Sequence, residues 1–346
     1  MKKRMLGLLL IGSIILASAG CSSAPTATTA AETESSDLTE SLTEIDLALP
    51  VAGHEGWELP GTLTLPEGDG PFPAVVLVHG SGPNDRDETI YQNKPFRDLA
   101  NTLAQKGIAV YRYDKRTNIY GQDMVSDINL TLEDETVIDA ANALALLKEQ
   151  PDIDSSRIFV LGHSLGGDAL PRINQLLADS GNTAAGYIFF AAPARQLSDI
   201  MREQYDYIYS LMPVLTNDQQ AQKEEAYSQL DRLQELDSLD DSKPILGAYP
   251  AYWKYLRGYD QVQTADAITS PCLVLQGEED YQVTMEDFNI WKGAYGDREN
   301  WTFKSYAGLT HLFTPGKKEN ASAAYLKAQT VDTRVIADIA DFITTH

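Results

Sequence analysis

Beyond about residue 45 the chain alternates between two hydrophobic periodicities. Residues 45–50 and 57–65 read as the two arms of a β-hairpin. Ala74-Val75-Val76-Leu77-Val78 is an unbroken apolar, β-branched run, the pattern of a strand covered on both faces. Residues 94–106 then switch to helical spacing, with Phe96, Leu99 and Leu103 on one side and Gly107 as the stop. The alternation repeats with a strand at 108–113 and an amphipathic helix at 132–149 that aligns Val137, Ile138, Ala141, Leu144 and Leu147. A strand at 158–161, a helix at 165–178 and a strand at 187–190 follow. Strand, helix, strand and helix resume at 272–276, 285–294, 301–306 and 331–343. This order predicts an α/β fold class: a mostly parallel central sheet with helices on both faces.

Two stretches break the alternation. Residues 196–262 lack strand signals and are rich in Gln, Glu and aromatic residues, including Tyr205, Tyr207, Tyr209, Tyr227, Tyr249, Tyr252, Trp253, Tyr255 and Tyr259. They are expected to form a helical cap over the carboxyl edge of the sheet, where ligands bind in open α/β folds. A decoration packed elsewhere, with its tyrosines as core, is the alternative. The other break is N-terminal. Lys2, Lys3 and Arg4 precede an apolar run at 5–16, shorter than a membrane-spanning helix, and the small residues 17–20 lead to Cys21. Residues 1–20 therefore read as a bacterial lipoprotein signal peptide and Cys21 as the lipidated residue, although Ser18 stands where such signals usually carry Leu. Residues 21–44, rich in Ser, Thr, Ala and Glu, read as a flexible tether. The expected location is outside the cytoplasm, with the membrane touched only through Cys21.

Composition narrows the picture further. The chain has 346 residues, 43% of them apolar and 22% charged, which excludes collagen-like, disulfide-scaffold and wholly disordered classes. Its net charge of −23 disfavours nucleic acid as a partner. The two cysteines are Cys21 and Cys272; with Cys21 lipidated no disulfide forms, and Cys272, in an apolar run, is a small buried hydrophobe.

Candidate chemistry centres on Gly162-His163-Ser164-Leu165-Gly166, a G-x-S-x-G pattern between a strand and a helix. In that setting Ser164 sits on a tight turn above the sheet edge, exposed as a nucleophile. A serine hydroxyl needs a base, and five histidines allow elimination. His54 lies beside the first hairpin, His346 is the last residue, His163 points away from Ser164, and His79 ends another strand. His311, in a loop after a late strand, remains. The acid that orients it is expected at Asp280, after the strand ending Leu275-Gln276-Gly277, with Glu278 and Glu279 as competitors. Two backbone N–H groups should hold an oxyanion. Leu165 supplies one, and Ser81 in His79-Gly80-Ser81-Gly82-Pro83 the other, with Gly80 as the alternative. Asp85, Arg86, Asp87, Arg112, Asp114 and Arg116 are expected to brace this loop as an ion-pair network rather than to bind a substrate carboxylate. No P-loop, dinucleotide fingerprint or His-x-x-x-His metal spacing occurs, so no cofactor or metal is expected.

The order Ser164, Asp280, His311, the segment Leu77-Val78-His79-Gly80-Ser81-Gly82-Pro83-Asn84-Asp85-Arg86-Asp87, and the stretches 162–167, 276–283 and 308–313 together resemble the α/β-hydrolases. The chain looks like the secreted or lipid-anchored bacterial serine esterases, near the dienelactone hydrolase and serine aminopeptidase-like groups. Dienelactone hydrolases proper use Cys, and Ser164 departs from them. The resemblance covers about residues 45–346. It implies hydrolysis of a small ester, short-acyl or aromatic, through an acyl-enzyme. Two other readings remain at this stage. One is a peptidase or amidase whose cap acids Glu203, Glu224 and Glu225 clamp a peptide amine; the other is a surface binding protein on the same fold.

Overall fold

The computed structural model describes residues 42–346, so the expected signal peptide, most of the tether and Cys21 lie outside the described residues. The first strand, β1 (Thr43–Asp46), already takes in the last two residues of the expected tether. It is followed by β2 (Leu49–Pro50), β3 (Glu58–Leu59), β4 (Gly61–Leu65), β5 (Phe72–Val78), α1 (Pro95–Ala104) and β6 (Ala109–Tyr113). Next come two short helices, α2 (Arg116–Ile119) and α3 (Gly121–Met124). A π-helical turn (Glu133–Val137) runs into α4 (Ile138–Lys148), then β7 (Ile153–His163), α5 (Leu165–Asp179) and β8 (Gly186–Phe190). The insertion contributes α6 (Leu197–Ser210), α7 (Asn217–Arg232), a 3₁₀ turn (Leu233–Ser238), α8 (Pro250–Gly258) and α9 (Gln261–Thr264). The chain closes with β9 (Cys272–Gly277), α10 (Met285–Tyr295), β10 (Trp301–Tyr306), α11 (Ala321–Tyr325) and α12 (Thr333–Thr345).

Eight strands form one sheet in the order β1-β4-β6-β5-β7-β8-β9-β10, while β2 and β3 make a separate ribbon. From β6 to β10 every pairing is parallel; β4 runs antiparallel to both its neighbours. The apolar runs follow from the layers. In β5, Val75 and Leu77 pack with Phe96, Leu99 and Leu103 of α1 and with Val335 and Ile339 of α12. Ala74, Val76 and Val78 face the opposite layer with Leu144 of α4, Ile173 of α5 and Trp291 of α10. A strand with a core on each side has no polar face to alternate with. β7 starts earlier than its apolar run because Ile153 pairs with Phe72, and the polar residues between belong to a register irregularity.

The expected loop-bracing charges largely pair with one another. Arg86 bonds Asp114 through two nitrogens at 3.1 and 3.2 Å, and Arg112 reaches Asp87 and Glu44. Two members go elsewhere. Asp85 accepts from the Thr89 N–H and hydroxyl, and Arg116 makes a buried two-point contact with Asp139 at 2.6 and 2.7 Å. Among the described residues no helix is long and apolar enough to cross a membrane.

Candidate active site

β7 delivers the chain to Ser164 and α5 takes it away, and the turn between them is strained. Ser164 has φ +52° and ψ −120°, a region that residues with side chains seldom occupy. The turn is tied down by Ser164 N–H donating to the Phe190 carbonyl of β8 at 3.0 Å, and by Gly167 and Asp168 N–H groups donating to the Ser164 carbonyl. The two outer glycines of the motif are dictated by packing. A Cβ on Gly162 would sit 2.3 Å from the Gly166 oxygen, and one on Gly166 would sit 2.3 Å from the Val78 oxygen of β5. Only bare backbone fits where the end of β7, the first turn of α5 and the end of β5 converge.

The loop after β9 brings in Asp280 and the loop after β10 brings in His311. His311 Nδ1 and Asp280 Oδ2 are 2.6 Å apart, with both side chains buried. Asp280 is itself fixed: its Oδ1 accepts from the N–H groups of Gln282 and Val283, and its Oδ2 accepts from Gln276 Nε2. A carboxylate can only accept here, so Nδ1 carries a proton and donates it to Asp280. The competing acids are occupied elsewhere: Glu278 accepts from the Ser305 hydroxyl and Glu279 from the Lys318 N–H. Ser164 and His311 line one pocket, of about 810 Å³ counting the space open to solvent, together with Ser81 and Leu165.

The Gly80 N–H donates to Glu88 Oε1 at 2.7 Å, which removes Gly80 as an oxyanion donor. Ser81 N–H makes no hydrogen bond among the described residues, and Leu165, the first residue of α5, has no partner one turn back. Asn84 Nδ2 holds the loop by donating to the carbonyls of Gly80 and Ser81.

Comparison with known proteins agrees with this architecture. Residues 71–315 match the model of the family described as serine aminopeptidase, S33. The chain belongs to the serine aminopeptidase S33 family. Esterase EstD of Thermotoga maritima is 42% identical over 282 residues, which cover 82% of this chain and 64% of that protein, so this chain spans less than two thirds of that relative's length. Among solved structures, a hyperthermophilic esterase from Pyrobaculum calidifontis superposes with a TM-score of 0.54 at 18% identity, over 88% of this chain and 85% of that one. An esterase from Pyrococcus furiosus gives 0.53 at 14%, over 88% and 91%. The fold is that of the α/β-hydrolases.

In this S33-family pocket the insertion supplies Leu197, Ile200, Met201, Gln204 and Tyr205. Tyr205 is the one lining residue among the nine aromatic residues of the insertion. Five of the others spend their polar ends on bonds within the protein: Tyr252 donates to Glu135, Tyr255 to Glu133, Tyr259 to the Asp168 carbonyl, Tyr227 to Asp206 and Trp253 to the Ile245 carbonyl. A buried tyrosine needs such a partner, so these rings are tied into the packing. No acid of the insertion lines the pocket. Glu203 pairs with Arg195, and Glu224 and Glu225 accept from Gln220 and Gln229 on α7. Among the described residues no cluster of His, Cys, Asp and Glu is arranged to hold a metal ion.

The site also holds groups that sequence reasoning missed. Glu88 is 2% exposed, and its Oε2 lies 2.8 Å from His163 Nδ1. His163 bonds elsewhere than to Ser164: its Nε2 meets the His311 carbonyl at 3.1 Å. Both ring nitrogens of His163 thus face oxygens, an arrangement suited to the imidazolium. Burial works against the charge on His163, but the Glu88 charge and hydrogen bond outweigh it and raise the imidazole above its usual value. Burial of Glu88 is likewise outweighed by His163, which leaves its carboxyl below the usual range. His79 shows the contrast: burial dominates there and lowers it to about 4, so it stays neutral.

These shifts set a pH window for the pair. His163, raised on folding, contributes stability that is complete below its unfolded value of 6.5 and is lost as pH climbs through the raised one. Glu88, lowered, contributes stability that is complete above its unfolded value of 4.5 and is lost as pH falls through the lowered one. In urea unfolding, the stability margin of the native chain over Glu88→Gln should be widest between about pH 4.5 and 6.5 and should narrow on both sides. A margin independent of pH would mean that the pair carries no charge.

Proposed function

We propose that this chain is a serine carboxylesterase acting on small, uncharged esters. Ser164 attacks the ester carbonyl while His311 Nε2 takes its proton, and Asp280 orients the imidazole and stabilises its positive charge. The Ser81 and Leu165 N–H groups receive the oxyanion, assisted by the positive end of α5. The alcohol leaves with a proton from His311, and water activated by the same imidazole then releases the acid from Ser164. Residues 197–264 act as a cap that closes the acyl site with aliphatic side chains.

The observation that carries this reading is the lining of the pocket. Ser164 and the Asp280-bonded His311 face a chamber whose other walls, apart from the paired Glu88 and His163, are apolar or neutral. Glu88 is the one further acid there, and it is committed to His163 and Gly80. The name of the Thermotoga maritima relative points the same way. An aminopeptidase must hold a free α-ammonium, and stripping water from that cation without a partner costs several kcal/mol.

The native chain is therefore expected to hydrolyse p-nitrophenyl butyrate with a kcat/KM about 10²-fold or more above that for alanyl p-nitroanilide. The reverse ranking would promote the peptidase reading, and hydrolysis of neither would promote a binding protein. Export and anchoring belong to the same proposal, supported by the basic start, the short apolar run and Cys21. Fatty-acid label should enter the native chain and not Cys21→Ser; equal labelling of both would remove the anchor.

A further inference from the structure

One buried cation near the site has no part in the chemistry above. Lys115 follows β6 and is 2% exposed. Its Nζ lies 2.5 Å from Glu135 Oε1 and donates to the Gly80 carbonyl at 2.9 Å. Glu135 sits in the π-helical turn, and its Oε2 accepts from the hydroxyl of Tyr252, on α8 of the insertion, at 2.7 Å. Burial, with the Glu135 charge adding to it, holds the Tyr252 hydroxyl well above its usual range, so it remains a donor. A buried ion pair of this kind adds little to stability, because desolvation offsets most of the attraction. Its contacts suggest a different use.

The Gly80 carbonyl and the Ser81 N–H belong to one peptide unit. That unit is planar and trans, so fixing the oxygen on one side fixes the direction of the N–H on the other. We propose that Lys115 is a positioning residue for the oxyanion site: it clamps the Gly80–Ser81 peptide so that the Ser81 N–H points at the developing charge, and Glu135 of the π-helical turn, itself held by Tyr252 of the insertion, sets its position. This rests on Ser164 as nucleophile and Ser81 N–H as oxyanion donor. The ammonium also polarises the amide, since a hydrogen bond to the carbonyl strengthens the donor at the far end by roughly 10–30%. The clamp has a counterpart on the preceding peptide, where Glu88 takes the Gly80 N–H. Asn84, whose carbonyl accepts from the Lys115 N–H, reinforces it with a neutral bond to the same Gly80 oxygen. The loop is thereby gripped by two buried ion pairs of opposite polarity. One, Glu88–His163, leads to the His311 backbone, and the other, Lys115–Glu135, leads to the insertion.

The test compares the native chain with Lys115→Met/Glu135→Gln, which removes both charges together, and with Tyr252→Phe, which removes a single hydroxyl. Each is assayed with p-nitrophenyl butyrate, with a trifluoromethyl ketone whose adduct carries an oxyanion, and with the matching secondary alcohol, which fills the pocket without reacting. The double variant should lose about 10- to 100-fold in kcat with KM nearly unchanged, and should bind the ketone more weakly by a similar factor while the alcohol binds as before. Tyr252→Phe should move the same two quantities in the same direction by a smaller factor. A folded double variant with native kcat, or one in which ketone and alcohol weaken equally, overturns the assignment. Should the double variant not fold, Tyr252→Phe decides by the same criteria. Failure of the underlying reading looks different: Ser164→Ala would keep its esterase activity, or the native chain would form no ketone adduct.

Discussion

The site depends on one backbone constraint, the crossing of β5, β7 and α5 at van der Waals limits beneath Ser164. At that crossing Gly162 and Gly166 leave no space for a side chain, and Ser164 is held at positive φ. Such a conformation is costly in isolation and persists only when its surroundings over-determine it. Here they do, because β7 is central in the sheet and carries buried residues on both faces, while the Phe190 carbonyl of β8 fixes the Ser164 N–H. From that fixed point Ser164 and Leu165, at the start of α5, line one pocket. The loops after β5 and β10 then bring Ser81 and His311 to the same pocket, and the loop after β9 sets Asp280 against His311.

Electrostatics divide the molecule in two. The chain carries −23 overall, yet apart from the Glu88–His163 pair the pocket is walled by neutral groups, and the charges close to it are buried in pairs. Glu88–His163 and Lys115–Glu135 meet at Gly80 from its N–H and carbonyl sides. Ion pairs in such places are poor sources of stability but good sources of fixed geometry. An oxyanion site needs fixed geometry, since its donors must already point the right way when charge develops.

Much of the fold was legible because its parallel strands, covered on both faces, read as unbroken apolar runs separated by helical periods. β5, β8 and β9 have this form. The sequence also offered the G-x-S-x-G turn, His311 by elimination, and Asp280 ahead of Glu278 and Glu279 as its partner. For the acids the structure adds the reason: Asp280 folds back onto the N–H groups of its own loop, whereas the two glutamates bond to Ser305 and Lys318. Less legible was the use of the insertion's aromatic residues. Nothing in their spacing says that Tyr252, Tyr255 and Tyr259 anchor their hydroxyls to Glu135, Glu133 and Asp168 instead of facing substrate. Glu88, Lys115 and Glu135 were not visible at all. Each is one charged residue among many, and Glu135 lies in a π-helical turn that a 3.6-residue period does not reveal.

The central claim is that one serine of this chain, lifted at the end of β7, becomes covalently acylated. The most direct measurement is peptide mass mapping after reaction with one equivalent of a fluorophosphonate. The account predicts a single adduct, on the peptide containing Gly162-His163-Ser164, with its mass increment on Ser164. An adduct on any other residue, or complete hydrolysis of esters by a chain that takes up none of the probe, would contradict it.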